Sequence, residues 1–315
     1  MPRLARLDAP GVVHHVMIRG IERKNIFRDD KDRDNLLERI GGLIPKTNAV
    51  CYAWALLPNH AHFLFRTGST NLSELMRRLL TGYAVSFNRR HKRHGQLFQN
   101  RYKSIICQED IYLKTLVRYI HLNPLRSKIV PEILQLNKYP YCGHSVLMGR
   151  EKRQWQDTEY VLSCFGQKSG EARRRYLFYI KEGVDQGRRP ELVGGGLIRS
   201  LGGWDEIKKI RLSGQDRLKG DERILGDSDF VLEVLSQTNE KLNRKYELKG
   251  LGYNLENVEH KVAEIFHITR AELYGKGRQK KRAEARSLLF YWAVRESYHL
   301  RQSRRLETLR APQRG

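Results

Sequence analysis

The 315-residue sequence predicts an α+β protein, a ferredoxin-like antiparallel sheet followed by a mostly α-helical C-terminal region. Three observations carry that reading. Segments with period-two apolar alternation are interleaved, one or two at a time, with segments of helical period over roughly the first 120 residues. Their order is βαββαβ with one further helix, the arrangement of a split βαβ sheet. Beyond residue 150 the alternation gives way to helical spacing and a glycine-rich stretch.

The first strand runs from about Val12 to Arg19 and ends at Gly20, and a helix from about Asp30 to Pro45 places Leu36, Leu37, Ile40, Leu43 and Ile44 on one stripe. Strands Val50 to Leu57 and His60 to Arg66 flank Pro58-Asn59, a turn signal tight enough for a hairpin. Asn71-Leu72-Ser73-Glu74 reads as an N-cap with Glu at the third helical position, opening a helix through Leu75, Met76, Leu79, Leu80 and Phe87. Leu97 to Gln108 has strand character. From Asp110, the apolar positions Leu113, Leu116, Val117 and Ile120 define a helix that Pro124 stops.

In the C-terminal half, Glu159 to Leu162, Arg173 to Ile180, Phe230 to Leu242, Val258 to Phe266 and Ala283 to Leu300 have helical patterning, and a loop-like glycine-rich stretch spans Gly183 to Gly203. The pattern divides the chain into 1–149, a mixed strand and helix domain; 150–225, a helical and glycine-rich connector; and 226–315, a further helical region.

A formal net charge of +24, with both halves basic, points to a polyanionic partner, nucleic acid first. No run of 18 apolar residues is present and the N-terminus has no apolar signal core, so the expectation is a cytoplasmic protein without a membrane partner. Cys51, Cys107, Cys142 and Cys164 have no close spacing, which argues against a zinc ribbon or disulfide framework.

The chemistry is concentrated in two short segments, Asn59-His60-Ala61-His62-Phe63-Leu64-Phe65 and Arg118-Tyr119-Ile120-His121-Leu122-Asn123-Pro124. Alternation sends Ala61, Phe63 and Phe65 to one face of a strand and both His60 and His62 to the other. Tyr119 and Asn123 are i and i+4 on a helix. Two imidazoles and a carboxamide oxygen suit a divalent ion, Mg²⁺ or Mn²⁺, with positions left open for phosphate and water. A tyrosine one turn from such a site can attack a phosphate in line, although the ordinary phenol pKa near 10 requires help for ionisation. Either segment alone is weak evidence, because a His-x-His strand is usually structural; the conjunction with the element order and the charge gives it force.

These residues resemble the HUH single-tyrosine transposases, and within them the REP-associated tyrosine transposases. Leu57-Pro58-Asn59-His60-Ala61-His62-Phe63-Leu64 is similar to the family's Met-Pro-Asn-His-x-His strand, and Tyr119 to Arg126 to its Tyr-x-x-x-Asn-Pro helix end. Arg19-Gly20 with Ile26-Phe27, and Leu97 to Lys103, resemble further landmarks, the whole likeness covering about residues 8 to 148. It implies His60, His62 and Asn123 as metal ligands, Tyr119 as nucleophile, and cleavage and rejoining of single-stranded DNA beside hairpins through a 5′-phosphotyrosine. It also implies action as a monomer or as a homodimer that swaps the tyrosine helix. Leu57 in place of Met and Ala61 between the histidines depart mildly from the pattern without removing a functional atom.

Arg89, Arg90, Lys92 and Arg93, followed by Arg101, Tyr102 and Lys103, mix cations with an aromatic in the way that suits a phosphate backbone and unstacked bases, although such a run is commonly only a solvated face. His14 and His15 fit a structural or DNA-touching role better than metal binding. Tyr83, Tyr102 and Tyr112 are rival nucleophiles without a candidate ligand at i+4 followed by Pro. Residues 255–300 resemble the start of a helix-turn-helix domain like that of the replication initiator DnaA, but the sequence after Ser297 loses the apolar pattern of a recognition helix, so duplex DNA is only a possible further partner. Two other readings stay open: a catalytically idle hairpin-binding protein for repeat maintenance or regulation, and a plasmid replication initiator, which would be expected to bring a helicase or origin-binding module.

Overall fold

The computed structural model describes residues 7–8, 11–187, 189, 192, 221, 223–227, 229–237, 255–275 and 279–296. The glycine triplet 194–196, residues 238–242 and the tail from 297 lie outside them. The chain divides into two compact units, 1–235 and 236–315.

The first unit is built on strands β1 (Val13–Arg19), β2 (Val50–Leu57), β3 (His60–Arg66), β4 (Lys103–Cys107) and β5 (Ile224–Leu225) in the order β2-β3-β1-β4-β5. The first four pair antiparallel, which is the split βαβ order expected; β5 adds a parallel edge to β4 and carries no sequence signal of its own at two residues. Helices α1 (Asp30–Thr47) and α2 (Leu72–Arg90) cover one face, where Leu36, Ile40, Leu75, Met76 and Leu79 meet Val16, Ile18, Trp54, Leu56, Ala61, Phe63 and Phe65.

The opposite face is covered by α3 (Glu109–His121), whose stripe Leu113, Leu116, Val117 and Ile120 packs on Ala53, Ala55, Leu57, Leu64 and Ile105. Four short helices, α4 (Asn123–Arg126), α5 (Ile133–Leu136), α6 (Gly143–Leu147) and α7 (Thr158–Ser163), follow, and then α8 (Ser169–Glu182); Leu136, Leu147, Val161, Tyr176 and Ile180 belong to the same core. The sheet is therefore covered on both faces, and every residue of β2 after Val50 is buried.

Three local expectations are corrected. Pro124 does not merely stop a helix: α3 ends at His121, Leu122 turns the chain, and Pro124 sits in the first turn of α4, where its missing N–H costs nothing. Leu97 to Tyr102 is not strand; it touches β1 through a single bridge, Gly20 to Phe98, and the strand starts at Lys103. The side chain of Asn71 makes no cap bond; the Asp8 carboxylate, 64 residues back, accepts from the Leu72 and Ser73 amides at 3.4 and 3.3 Å. β1 ends before Gly20 as expected, and the position takes glycine because a Cβ there would lie 2.0 Å from the Lys24 carbonyl oxygen.

A helix over 229–237, α9, packs Val231 and Val234 on Ile106 and Ile224. The second unit contains α10 (Leu255–Ile265), α11 (Arg270–Tyr274) and α12 (Lys280–Glu296) around Val262, Leu273, Ala285 and Leu289. Thr269 and Glu272 form a capping box at the start of α11, and the fully buried Glu259 is held by Arg270 at 2.5 Å and by the Tyr274 hydroxyl.

Candidate active site

Three neighbouring strands set the site. In an antiparallel pair, residues directly opposite share a face. His60 lies opposite Arg19 and Leu57, His62 opposite Met17 and Ala55, and Leu64 opposite His15. The face shared by His15, His60 and His62 is the one α3 covers, whereas Ala61 and Phe63 enter the core under α1 and α2. The alternation read from the sequence therefore places both histidines as expected.

Two anchors hold α3 over this face. At its start, Glu109 pairs with Arg66 at the end of β3 at 2.5 Å, and the Arg66 guanidinium lies over the rings of Tyr52 and Tyr160. At its end, Arg118 stacks 4.0 Å from the Tyr179 ring of α8 and donates to the Tyr179 carbonyl. Tyr119 is thus delivered to the histidines. Its ring centre is 5.9 Å from His62 and 5.9 Å from His15, both edge-on, while His60 and His62 are 5.3 Å apart. Arg126 covers another side of Tyr119, its guanidinium carbon 5.4 Å from the ring centre.

Asn123, only 8 % exposed, donates its amide N–H groups to the Tyr119 and Ile120 carbonyls at 3.1 and 3.3 Å. That fastens it to the turn bearing Tyr119 and leaves Oδ1 as the atom that can accept a charge. His60 Nδ1 lies 2.6 Å from Asn59 Oδ1, and the Asn59 amide is oriented by donating to the Arg23 carbonyl at 3.0 Å. His62 Nδ1 lies 3.0 Å from His15 Nε2. In both histidines the nitrogen outside these bonds is Nε2.

Burial, and after it the Arg19 charge, lowers His60 to a pKa of about 4. His62 is pushed well below the usual imidazole value by burial first, then by His15, His60 and Arg19. Both are neutral at pH 7, the form in which an imidazole can ligate. Burial also lowers Arg126, against the pull of Tyr119. Among the described residues there is no cluster of three or more His, Cys, Asp or Glu side chains able to hold a metal, so the acidic-cluster type of centre is absent there.

The basic residues fall into two groups. Arg90 at the end of α2 is engaged by Asp29 and Asp32, both at 2.5 Å, and Arg93 by Asn88 and the Gln96 carbonyl; Arg89 and Lys92 are exposed. They belong to the α1 and α2 side. Lys103, in contrast, is exposed and lies opposite Met17, itself opposite His62, so it stands on the site face two strands from that histidine, about 10 Å at ordinary strand spacing. Arg101 is exposed beside it, and Tyr102 is buried under α1 and α2. Of the rival tyrosines, Tyr83 is buried with its hydroxyl on the Ile26 carbonyl.

Arg19 and Arg126 are site neighbours that the sequence reading left without a role, and His15 is one to which it gave only a structural or DNA-touching role. Arg19 and His15 could have been found from β1 alone, since Val16 and Ile18 claim one face and leave His15, Met17 and Arg19 the other. Arg126 had no such signal, because its approach to Tyr119 depends on the break between α3 and α4.

The split βαβ sheet, with a histidine pair and a tyrosine helix meeting on one face, defines an α+β protein with a polar site built across β1, β3 and α3. Residues 10–123 match the family model described as transposase, IS200 like. A solved structure described as "Structure of the REP associates tyrosine transposase bound to a REP hairpin" is similar over 50 % of this chain and 98 % of its own, with 15 % identity and a TM-score of 0.40. No curated protein matches the chain. No helix among the described residues is long and apolar enough to cross a membrane.

Proposed function

We propose that this transposase domain is a metal-dependent, single-tyrosine DNA strand transferase of the REP-associated kind, which cleaves and rejoins single-stranded DNA near hairpins. The observation that carries the reading is the meeting of Tyr119 with His62 and His60 on one face, with Asn123 fastened to the tyrosine's own turn. Two Nε2 atoms and one amide oxygen fit Mg²⁺ or Mn²⁺. His60, His62 and Asn123 would hold the ion, which when bound supplies Lewis-acid polarisation of the scissile phosphate and support for the departing oxygen.

The chain's own residues do the rest. Tyr119 Oη attacks phosphorus, the Oη–P bond forms as the bond from phosphorus to the 3′ oxygen breaks, and the phenolic proton leaves to water. The 3′ oxygen takes up a proton and becomes a free hydroxyl, leaving a 5′-phosphotyrosine. Rejoining reverses these steps with another 3′-hydroxyl and needs no ATP, because the phosphodiester energy is kept in the new bond. Arg126 restrains the ring, and Lys103 and Arg101 offer charge to the strand entering the site face. The C-terminal unit is assigned a supporting contact with DNA phosphates through its basic residues, and the place of action is the bacterial nucleoid.

The test is a denaturing-gel assay for a covalent adduct, with hairpin-bearing single-stranded oligonucleotides copied from repeats flanking the gene, in Mn²⁺, Mg²⁺ or EDTA. A metal-dependent adduct is expected for the natural sequence and none for Tyr119→Phe or His62→Ala. Hairpin binding without an adduct under either metal overturns the enzyme reading in favour of an idle binding protein.

A further inference from the structure

His15 is fully buried and touches a hydrogen-bond partner with each ring nitrogen: Nε2 lies 3.0 Å from His62 Nδ1, and Nδ1 lies 3.0 Å from the backbone carbonyl oxygen of Leu192. The two partners differ in a decisive way. A carbonyl oxygen only accepts, so His15 Nδ1 carries the hydrogen. In a neutral imidazole the other nitrogen is then an acceptor, so the hydrogen in the contact between the rings belongs to His62 Nδ1. His62 Nε2 is left with a bare lone pair.

The ring centres lie 5.2 Å apart with the planes 29° from parallel, the separation that an in-plane contact of 3.0 Å between ring nitrogens gives. The connector enters the arrangement through one backbone atom. Leu192 is 177 positions from His15, and its side chain, 1 % exposed, is part of the core beneath α3, which keeps its carbonyl in place. His60 is treated in parallel, since Asn59 Oδ1 can only accept and therefore takes the Nδ1 hydrogen. Both site histidines are thus left with Nε2 unprotonated, by two unrelated devices.

We propose that His15 is a positioning residue: with the Leu192 carbonyl behind it, it fixes His62 in the Nδ1–H tautomer and so presents Nε2 for ligation of the divalent ion. The inference rests on the metal-dependent reading of the site and assigns the connector a part in building it. Fixing the tautomer and the ring plane of a ligand in this way is typically worth ten- to a hundredfold in metal affinity.

Selective ¹⁵N labelling of the eleven histidines makes the tautomer visible in the metal-free protein. The expected spectrum has His62 Nδ1 in the protonated range and Nε2 in the bare-nitrogen range. In His15→Leu, which cannot accept, His62 should shift to the Nε2–H form and Mn²⁺ affinity, read by electron paramagnetic resonance, should fall about ten- to a hundredfold. His15→Gln, which can accept from His62 and donate to Leu192, should recover much of both. A natural protein with His62 as Nε2–H, or a folded His15→Leu with unchanged tautomer and Mn²⁺ affinity, overturns the relay and leaves the strand-transfer reading standing. The expected tautomer in a protein that neither takes up Mn²⁺ nor forms the adduct overturns the strand-transfer reading, and the relay's purpose with it.

Discussion

His14 and His15 are consecutive residues of β1, both fully buried, and they live in opposite worlds. His15 faces α3, bonded at both nitrogens. His14 faces α1 and α2, and neither of its nitrogens has a partner among the described residues. The contrast extends to the two sheet faces as wholes. Under α1 and α2 the sheet presents Val16, Ile18, Phe63 and Phe65, a surface that a helix pair closes by packing alone. Under α3 the sheet presents the site histidines at one end of an apolar patch, so the covering helix must pack and also deliver Tyr119. One face is built for stability and the other is made to tolerate polar groups, each of which must be satisfied.

A crossed pair of substitutions tests that division and has the largest expected effect. Tyr119→Phe removes one oxygen from the site face and is expected to reduce adduct formation at least a thousandfold, with a denaturant midpoint close to that of the natural protein. Leu79→Ala on α2, fully buried in the other face, should cost about 3 kcal/mol of stability while leaving adduct formation per folded molecule near its natural value. Chemical denaturation and the gel assay read the two quantities separately. Loss of chemistry in both variants would mean that the faces are not independent.

How much of this division was legible in the sequence follows from what each feature depends on. The strand order, the hairpin at Pro58-Asn59 and the pairing of His60 with His62 on one face come from local periodicity, which survives in a single segment. The stripe on α3 did too. What was not legible depends on contacts between distant segments: Asp8 capping α2, β5 joining β4, the Leu192 carbonyl behind His15, and Arg90 neutralised by Asp29 and Asp32 rather than facing DNA unaccompanied. His121, two residues from Tyr119, lies 2.8 Å from the Tyr176 hydroxyl, which also meets His144 at 2.7 Å.

Burial without a partner gives His14 a measurable signature. It lowers the pKa to about 3, and burial does the same to His144. Between that value and the ordinary 6.5 the unfolded chain takes up a proton that the folded chain refuses, so stability falls as pH drops from about 6.5 and the loss levels off near 3. Each such group contributes a slope of about 1.4 kcal/mol per pH unit. His14→Leu should remove one proton's worth of that slope between pH 6 and 4. It should also stabilise the protein by about 1–2 kcal/mol at pH 7, since two unsatisfied nitrogens are exchanged for methyl groups. Denaturation midpoints measured across pH 4 to 8 decide it; an unchanged acid limb would mean that His14 is solvated or bonded in solution.

The smallest effect sharpens the same contrast at the start of α2, where the stability face meets Asp8. The amides of Leu72 and Ser73 are orphan donors of a helix start, and the carboxylate that receives them belongs to Asp8, not to Asn71, which has the sequence signature of a cap. A negative charge also suits that end of the helix dipole. Asp8→Ala should therefore cost about 1 kcal/mol, whereas Asn71→Ala, losing no cap bond, should cost a few tenths at most. Thermal denaturation of the two variants side by side separates them, and the reverse order would mean that in solution α2 is capped from within its own segment, with the N-terminal residues contributing nothing to the closed face.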